Sequence, residues 1–257
     1  MTQLFEEQGA PAVAVAGQAP LALYSTSATT GLVVDVGAGC ITAVPVYEGV
    51  SLPHATARAD VGGRDVTAQL MRLLRIRGLP LSSSAEAELA REIKEATSLV
   101  ALDPRASEAQ AAQGNAPEAT YRLPDGRVLR VASERFRAPE VLFDPSVAGL
   151  EAPGVGVLAA GAVLRAEVDT RAALLGGVLL CGGSSKCPGF GARLLSEMRS
   201  LSPKGSKVRI KAPKERELLP WVGGSILAAL SSFRSRWVTR KEYEEEGVRV
   251  IHRKALG

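Results

Sequence analysis

Asp35, Gly37 and Gly39 lie within five residues of one another, between the apolar runs Leu32-Val33-Val34 and Cys40-Ile41-Thr42-Ala43-Val44. Apolar, β-branched segments joined by a short glycine turn read as a β-hairpin. Two glycines in such a turn expose consecutive backbone N–H groups to an anion, and a neighbouring carboxylate holds a hydrated cation. That is the chemistry of a sheet-borne phosphate loop. The same residues also make an ordinary tight hairpin with no ligand, and the hairpin by itself leaves both readings open. A second glycine turn, Gly182-Gly183-Ser184-Ser185, follows the short apolar run Val178–Cys181. After it come Pro188 and an amphipathic helix carrying Leu194, Leu195 and Met198. Strand, glycine turn and helix form an arrangement able to approach a nucleotide.

The elements that must position these turns read as alternating strands and helices. Residues 11–16 and 29–47 are expected as strands, with a short helix over 18–25 between them; Pro20 is tolerated in its first turn. Ser83-Ser84-Ala85-Glu86 is a capping box opening a helix to about residue 100. Leu89, Ile93, Ala96 and Val100 form its buried stripe, leaving Arg91, Lys94, Glu95 and Ser98 elsewhere on its surface. Arg91 and Glu95 stand four apart, as an ion pair on a solvated face would. Residues 104–120 are polar and alanine-rich, and are expected as a mobile surface excursion. A hairpin follows, with Pro124-Asp125-Gly126 as its turn. The last third predicts a strand over 207–212, a helix over 226–237 opened by Gly223-Gly224-Ser225, and a capping-box helix from Thr239 with Glu242. Interleaving of this kind is the pattern of the α/β class.

Composition narrows the function classes. The 257 residues are 46% hydrophobic but only 4% aromatic, so the core is aliphatic and alanine-rich. No apolar run approaches the ~20 residues of a membrane span, and the first residues lack the pattern of a signal peptide. The three cysteines, Cys40, Cys181 and Cys187, have no metal-ligand spacing, which fits a reducing, cytoplasmic setting. From Arg199 onward there are 14 Lys/Arg against 6 Asp/Glu, whereas the first 198 residues carry 17 against 21. A basic final third raises nucleic acid or an acidic protein surface as a partner. In Lys207-Val208-Arg209-Ile210-Lys211, however, charge alternates with apolar residues as on one solvated strand face. Stacking aromatics are scarce there, so nucleic acid is the weaker expectation.

The runs TTGLVVDVGAG, VPVYEG, GGRDVT, LPDGRV, ERFRAPEVLF, CGGSSKCPGFGARLLSE, WVGGSILAAL and EYEEEGVRVIHRK follow one another in an order and spacing that resemble the actin superfamily over essentially the whole chain. GFGARLLSEMRSLSPK and KEYEEEGVRVIHRK are most similar to centractin, the filament-forming actin-related protein of dynactin. The resemblance implies two lobes clasping ATP or ADP with Mg²⁺. Asp35, Gly37 and Gly39 would lie in one phosphate hairpin, with Asp35 facing the metal through water. Gln18 would orient the attacking water, and Gly63 would sit by the ribose and phosphates. Arg91, Lys94 and Glu95 would sit by the adenosine, and Gly182, Gly183 and Ser184 in the adenine-side loop. On this basis Arg91 and Lys94 face a ligand instead of bare solvent.

The resemblance further implies a partial actin-like (ribonuclease H-like) α/β fold, with the second lobe complete, the first truncated and its outer small subdomain absent. Residues 1–25 would be a remnant of the first large subdomain, 26–61 and 150–218 the second large subdomain, 62–149 its inserted small subdomain, and 219–257 the C-terminal part of the first. Family members carry another phosphate hairpin and its lysine in a preceding third with no counterpart here. Ala38 replaces that family's second hairpin aspartate, Thr42 its water-activating histidine, Glu217 a lysine packed on adenine, and Cys187 a nearby aromatic. Loss of an acid–base helper typically costs ~10²–10⁴ in rate. The expectation is therefore a structural subunit of a cytoskeletal filament or complex, with weak or no ATP binding and no competent ATPase, partnered by other actin-family subunits in a dynactin-like assembly. The alternatives are a nucleotide-dependent filament protein whose first third lies outside this sequence, and a chromatin-associated subunit.

Overall fold

The computed structural model describes residues 2–79 and 84–254. In chain order the strands are β1 (Ala12–Val13), β2 (Gly31–Val36), β3 (Ile41–Tyr47), β4 (Val50–Ser51), β5 (Ala57–Ala59), β6 (Ala119–Arg122), β7 (Val128–Val131), β8 (Val178–Cys181), β9 (Ile210–Lys211) and β10 (Val238–Thr239). The α-helices are α1 (Gln18–Tyr24), α2 (Gly63–Ile76), α3 (Ser84–Thr97), α4 (Pro104–Ala112), α5 (Glu134–Arg137), α6 (Val155–Arg165), α7 (Val168–Gly176), α8 (Phe190–Leu201), α9 (Leu219–Ala229), α10 (Arg240–Glu246) and α11 (Val250–Lys254).

A mixed six-stranded sheet carries the site, in the order β4-β3-β2-β8-β9 with β5 also paired to β3. β2 and β3 are antiparallel, closing on Val36 opposite Ile41, whereas β2 and β8 run parallel, from Leu32 beside Val178 to Asp35 beside Cys181. A parallel pair needs a long crossover, and the chain between β3 and β8 supplies it. Helices cover both faces of β2, so its sequence is nearly continuously apolar. Leu32, Val34 and Val36 enter the larger core with Leu158, Leu174, Phe190 and Leu194 from α6, α7 and α8. Val33 points the other way, into a second core with Ala19, Ala22 and Leu23 of α1 and Leu219 of α9. The period of two along a strand therefore puts Asp35 on the Val33 face, toward α1.

The crossover holds α2 to α5 and the β6–β7 hairpin, with Val66, Leu70 and Leu74 of α2 buried in the larger core with Ile93 and Val131. A third small core gathers Phe5, Val238 and Val250, and Phe5 stacks on Tyr243 at 4.6 Å between ring centroids.

Several local expectations need correction. The excursion at 104–120 is not irregular: Asp103 accepts a hydrogen bond from the Ala106 amide at 3.1 Å and, with Pro104 at the first helical position, nucleates α4. The segment 11–16 forms only the two-residue β1 plus a bridge at Ala16. On α3 the buried stripe omits Ala96, which is exposed, and takes in Ala90 and Thr97. Ser98 is buried, because α3 stops at Thr97 and the next residues leave helical register to bond Arg135 O and Pro188 O through the Leu99 and Val100 amides. The capping box at Ser83 lies outside the described residues. α9 begins at Leu219, and Gly223 lies inside it instead of opening it. A methyl group at Gly223 would collide with the Leu21 carbonyl, so the glycine is there for close packing of α9 on α1. After Leu230 the chain turns as a 3₁₀ helix, Ser231–Arg236, so no α-helix reaches 237. The capping box at Thr239 and Glu242 is formed, with both reciprocal bonds. No described helix is long and apolar enough to cross a membrane.

Candidate functional site

The β2–β3 hairpin is pinned from behind. The Gly63 and Arg64 amides at the start of α2 donate to Gly37 O at 3.0 Å and Ala38 O at 2.8 Å, and Ser184 Oγ donates to Gly37 O at 2.9 Å. Gly62 N donates to the Asp65 carboxylate at 2.7 Å, completing the local cap. The first amides of α2 are thus consumed by the hairpin and do not face a ligand. Within the turn, Gly37 N donates to Cys40 O. The amides of Ala38, Gly39 and Cys40 meet no acceptor among the described residues. Three successive donors left over in a pinned turn are the polar complement of a phosphate oxygen.

The second glycine turn is held as firmly. Gly182 has φ of +82°, and a side chain there would collide with the Asp35 carboxylate and the Val36 carbonyl. Only glycine lets β8 and β2 end side by side at this point. Arg216 reaches under the loop, donating to Ser185 Oγ at 2.9 Å, Ser185 O at 2.8 Å and Pro213 O at 2.8 Å.

Two cavities adjoin these turns. The first, of about 330 Å³, is lined by Gly63, Lys94, Glu95, Gly183 and Ser184 among the sequence-derived candidates, joined by Val66, Ser98, Leu142, Lys186, Cys187 and Glu217. Lys94 Nζ donates to Gly63 O and Thr67 Oγ1, both at 3.1 Å, so its ammonium is aimed at the start of α2. Burial lowers its pKa from 10.5. Ser98 Oγ is buried with no hydrogen-bond partner among the described residues. Lys186 and Glu217 form an ion pair, and the Glu217 carboxyl is held below its ordinary pKa chiefly by that hydrogen bond. Burial pushes the Cys187 thiol up to about 12, so it is protonated at neutral pH.

The second cavity, of about 340 Å³, is lined by Gln18, Asp35, Thr42, Ser51, Thr56 and Cys181. Gln18 Nε2 donates to Asp35 Oδ2 at 2.7 Å. Burial raises the Asp35 pKa. Thr42 lies directly across the ladder from Asp35, and Cys181, whose thiol burial also raises to about 12, lies beside it on β8.

The structure thus places five sequence-derived candidates around the first cavity and two, Gln18 and Asp35, around the second. Gly37 and Gly39 form the hairpin turn, which lines neither cavity itself but accepts bonds from Gly63 and Ser184 of the first, and Gly182 is its packing partner. Arg91 lines neither cavity. Its guanidinium is taken by Glu88 and by Glu95 at 2.7 Å, on the exposed side of α3. Sequence reading missed Thr67, Ser98, Lys186 and Arg216. Thr67 was legible as the residue one helical turn beyond Gly63, whereas the others become neighbours of the site only through tertiary packing.

The first cavity suits a nucleoside: an ammonium, polar wall groups and an orphaned hydroxyl surround a space bounded by the second glycine turn and the start of α2. The free hairpin amides suit its phosphates. A divalent cation finds less. No group of three or more His, Cys, Asp or Glu gathers among the described residues, so Asp35, already bonded to Gln18, would meet it through water. The family model described as Actin matches residues 1–256 of the chain.

Proposed function

The chain belongs to the actin family, and from that premise we propose that it acts as a structural actin-related subunit that binds a nucleotide weakly and does not turn it over. The observation that carries this reading is the contrast at Asp35. The binding elements stand beside it, in the Ala38–Cys40 amides and the Lys94 cavity. The groups facing it on the reaction side are Gln18 and Thr42, neither of which can take a proton from water at neutral pH. ATP or ADP with Mg²⁺ is the nucleotide proposed. Lys94 and the hairpin amides would hold it, and Mg²⁺, when bound, would neutralise phosphate charge.

A subunit role draws support from α9. Leu218, Trp221, Ile226 and Leu230 are exposed in and immediately beside α9, with Trp221 72% accessible. Large apolar side chains concentrated in so short an exposed segment support the reading of an interface there. Other actin-family chains in a cytoplasmic, cytoskeletal complex are the partners proposed. A dynactin-like assembly is favoured by the similarity of 189–204 and 241–254 to centractin. The division into subdomains at 26–61 with 150–218, 62–149 and 219–257 is part of the same proposal. Titration of the 257-residue chain with a fluorescent ATP analogue and Mg²⁺, followed by phosphate detection, tests the reading. Saturable weak binding without phosphate release supports it, and catalytic release refutes it.

A further inference from the structure

Six cations, Arg199, Lys204, Lys207, Arg209, Lys211 and Lys214, follow one another from 199 to 214 with no acidic residue among them. All six are exposed, and none has an ion pair or a side-chain hydrogen bond among the described residues. Three of them are set in a row by β9. Arg209 N donates to Leu175 O at 3.0 Å and its carbonyl accepts from Val178 N at 3.1 Å, so pairing with the β8 side already holds at Arg209. Val208 and Ile210 pack on the larger core, which leaves Lys207, Arg209 and Lys211 on the opposite face, with Lys211 beside Leu179. Alternate residues of a strand are ~7 Å apart, which makes a row of positive charge about 14 Å long. The outer side of β9 is open, because it is the last strand of its sheet. Arg209 spends its own N–H and C=O on the β8 side, so Ile210 directs its pair outward. The exposed Ala212 follows before Pro213 ends the edge.

We propose that this edge docks an extended acidic segment of a partner protein, which adds as a strand beside residues 210–212 with alternate Asp or Glu side chains against Lys207, Arg209 and Lys211. Charge on an open edge discourages indiscriminate strand pairing. A strand of opposite charge is the exception, because each cross-strand ion pair then adds to the backbone bonds. In this mode the backbone bonds supply affinity and the alternate side chains supply specificity. Nucleic acid is the other polyanion that such a row could meet. No Phe, Tyr or Trp occurs from 199 to 214 to stack a base, and a phosphodiester backbone brings no N–H donor for the Ile210 carbonyl. None of the six cations lines the nucleotide cavity, so docking here stands or falls independently of nucleotide binding.

Fluorescence anisotropy on the intact chain tests this with four labelled probes of equal length. They are an alternating Thr-Glu peptide, an alternating Thr-Lys peptide, the Thr-Glu peptide methylated on its backbone nitrogens, and oligothymidine. The Thr-Glu peptide is expected to bind, to weaken as salt is added, and to bind more tightly than oligothymidine, while the Thr-Lys peptide does not bind. Combined Lys207→Glu, Arg209→Glu and Lys211→Glu should weaken the Thr-Glu peptide about tenfold or more, as should methylation of its backbone. Circular dichroism checks that the variant is folded, and Lys207→Gln and Lys211→Gln singly should each give a smaller loss in the same direction. No binding of the Thr-Glu peptide at low salt, or binding that survives the charge reversal, overturns the docking surface. Oligothymidine binding as tightly as the acidic peptide overturns the choice of a protein partner. Equal binding of the methylated peptide overturns strand addition.

Discussion

The Lys94 cavity and the Asp35 cavity sit at the same hairpin, are almost equal in volume, and hold opposite kinds of chemistry. Around the first, charged and hydroxyl groups converge from three separate parts of the chain: Lys94 and Ser98 near the end of α3, Ser184 and Lys186 after β8, and Glu217 before α9. Around the second, the one carboxylate among the described lining residues, Asp35, is half-buried, capped by an amide side chain and opposed by a threonine and a protonated thiol. Binding therefore needs only fixed donors and a shaped space, which the first side has. Hydrolysis needs a group that moves a proton, and on the second side the one carboxylate among the described lining residues is Asp35, which is held by Gln18.

The largest effect should come from the residue that lets both sides coexist. Gly182→Ala pushes a methyl group into Asp35 and Val36 in a left-handed backbone position. It is expected to cost about 3 kcal/mol or more in urea unfolding, from strain and overpacking together. Arg216→Ala removes three donated bonds beneath the second glycine turn. It should cost about 2 kcal/mol and weaken nucleotide binding without touching the Asp35 side. An equal loss of stability with unchanged binding would show that the loop does not depend on Arg216 for its shape. Lys94→Ala should weaken the analogue about tenfold, the worth of one charge-assisted bond, while Gln18→Ala should change binding little. Reversal of that order would swap the roles assigned to the two cavities.

The smallest effect concerns pH. Burial lowers the Lys94 pKa in the folded chain below its ordinary 10.5. Between the lowered value and 10.5 the unfolded chain holds the extra proton, so stability rises with pH across that interval. Unfolding of the wild type and Lys94→Met from neutral pH to about 10.5 should show wild-type stability rising relative to the variant, a difference in which the opposite trend of the two buried thiols above pH about 9 cancels. Parallel curves would mean that the ammonium is not desolvated by the cavity.

The hairpin was legible in the sequence because strand periodicity and a glycine turn are local signals, and the register puts Asp35 opposite Thr42. The strand Val178–Cys181 was legible for the same reason. The helix α4 was not, because its alanine-rich sequence has no apolar stripe and its cap is a single aspartate followed by proline. The glycine pair in α9 misled because its cause, contact with Leu21, is about 200 residues away in sequence. Ser98 and Arg216 were invisible on the same ground: one is placed by where a helix stops, the other by a loop that folds back under a strand end. Arg91 illustrates the opposite case, since its spacing from Glu95 announced the ion pair that the structure contains.

The most direct measurement follows binding and chemistry together, with the intact chain mixed with a fluorescent ATP analogue and Mg²⁺ while free phosphate is recorded. Weak saturable binding with phosphate release no faster than in buffer is the predicted result. Micromolar affinity accompanied by steady phosphate release would contradict the account, because Asp35, held by Gln18 and flanked by Thr42 and Cys181, would then have to serve as a working proton acceptor.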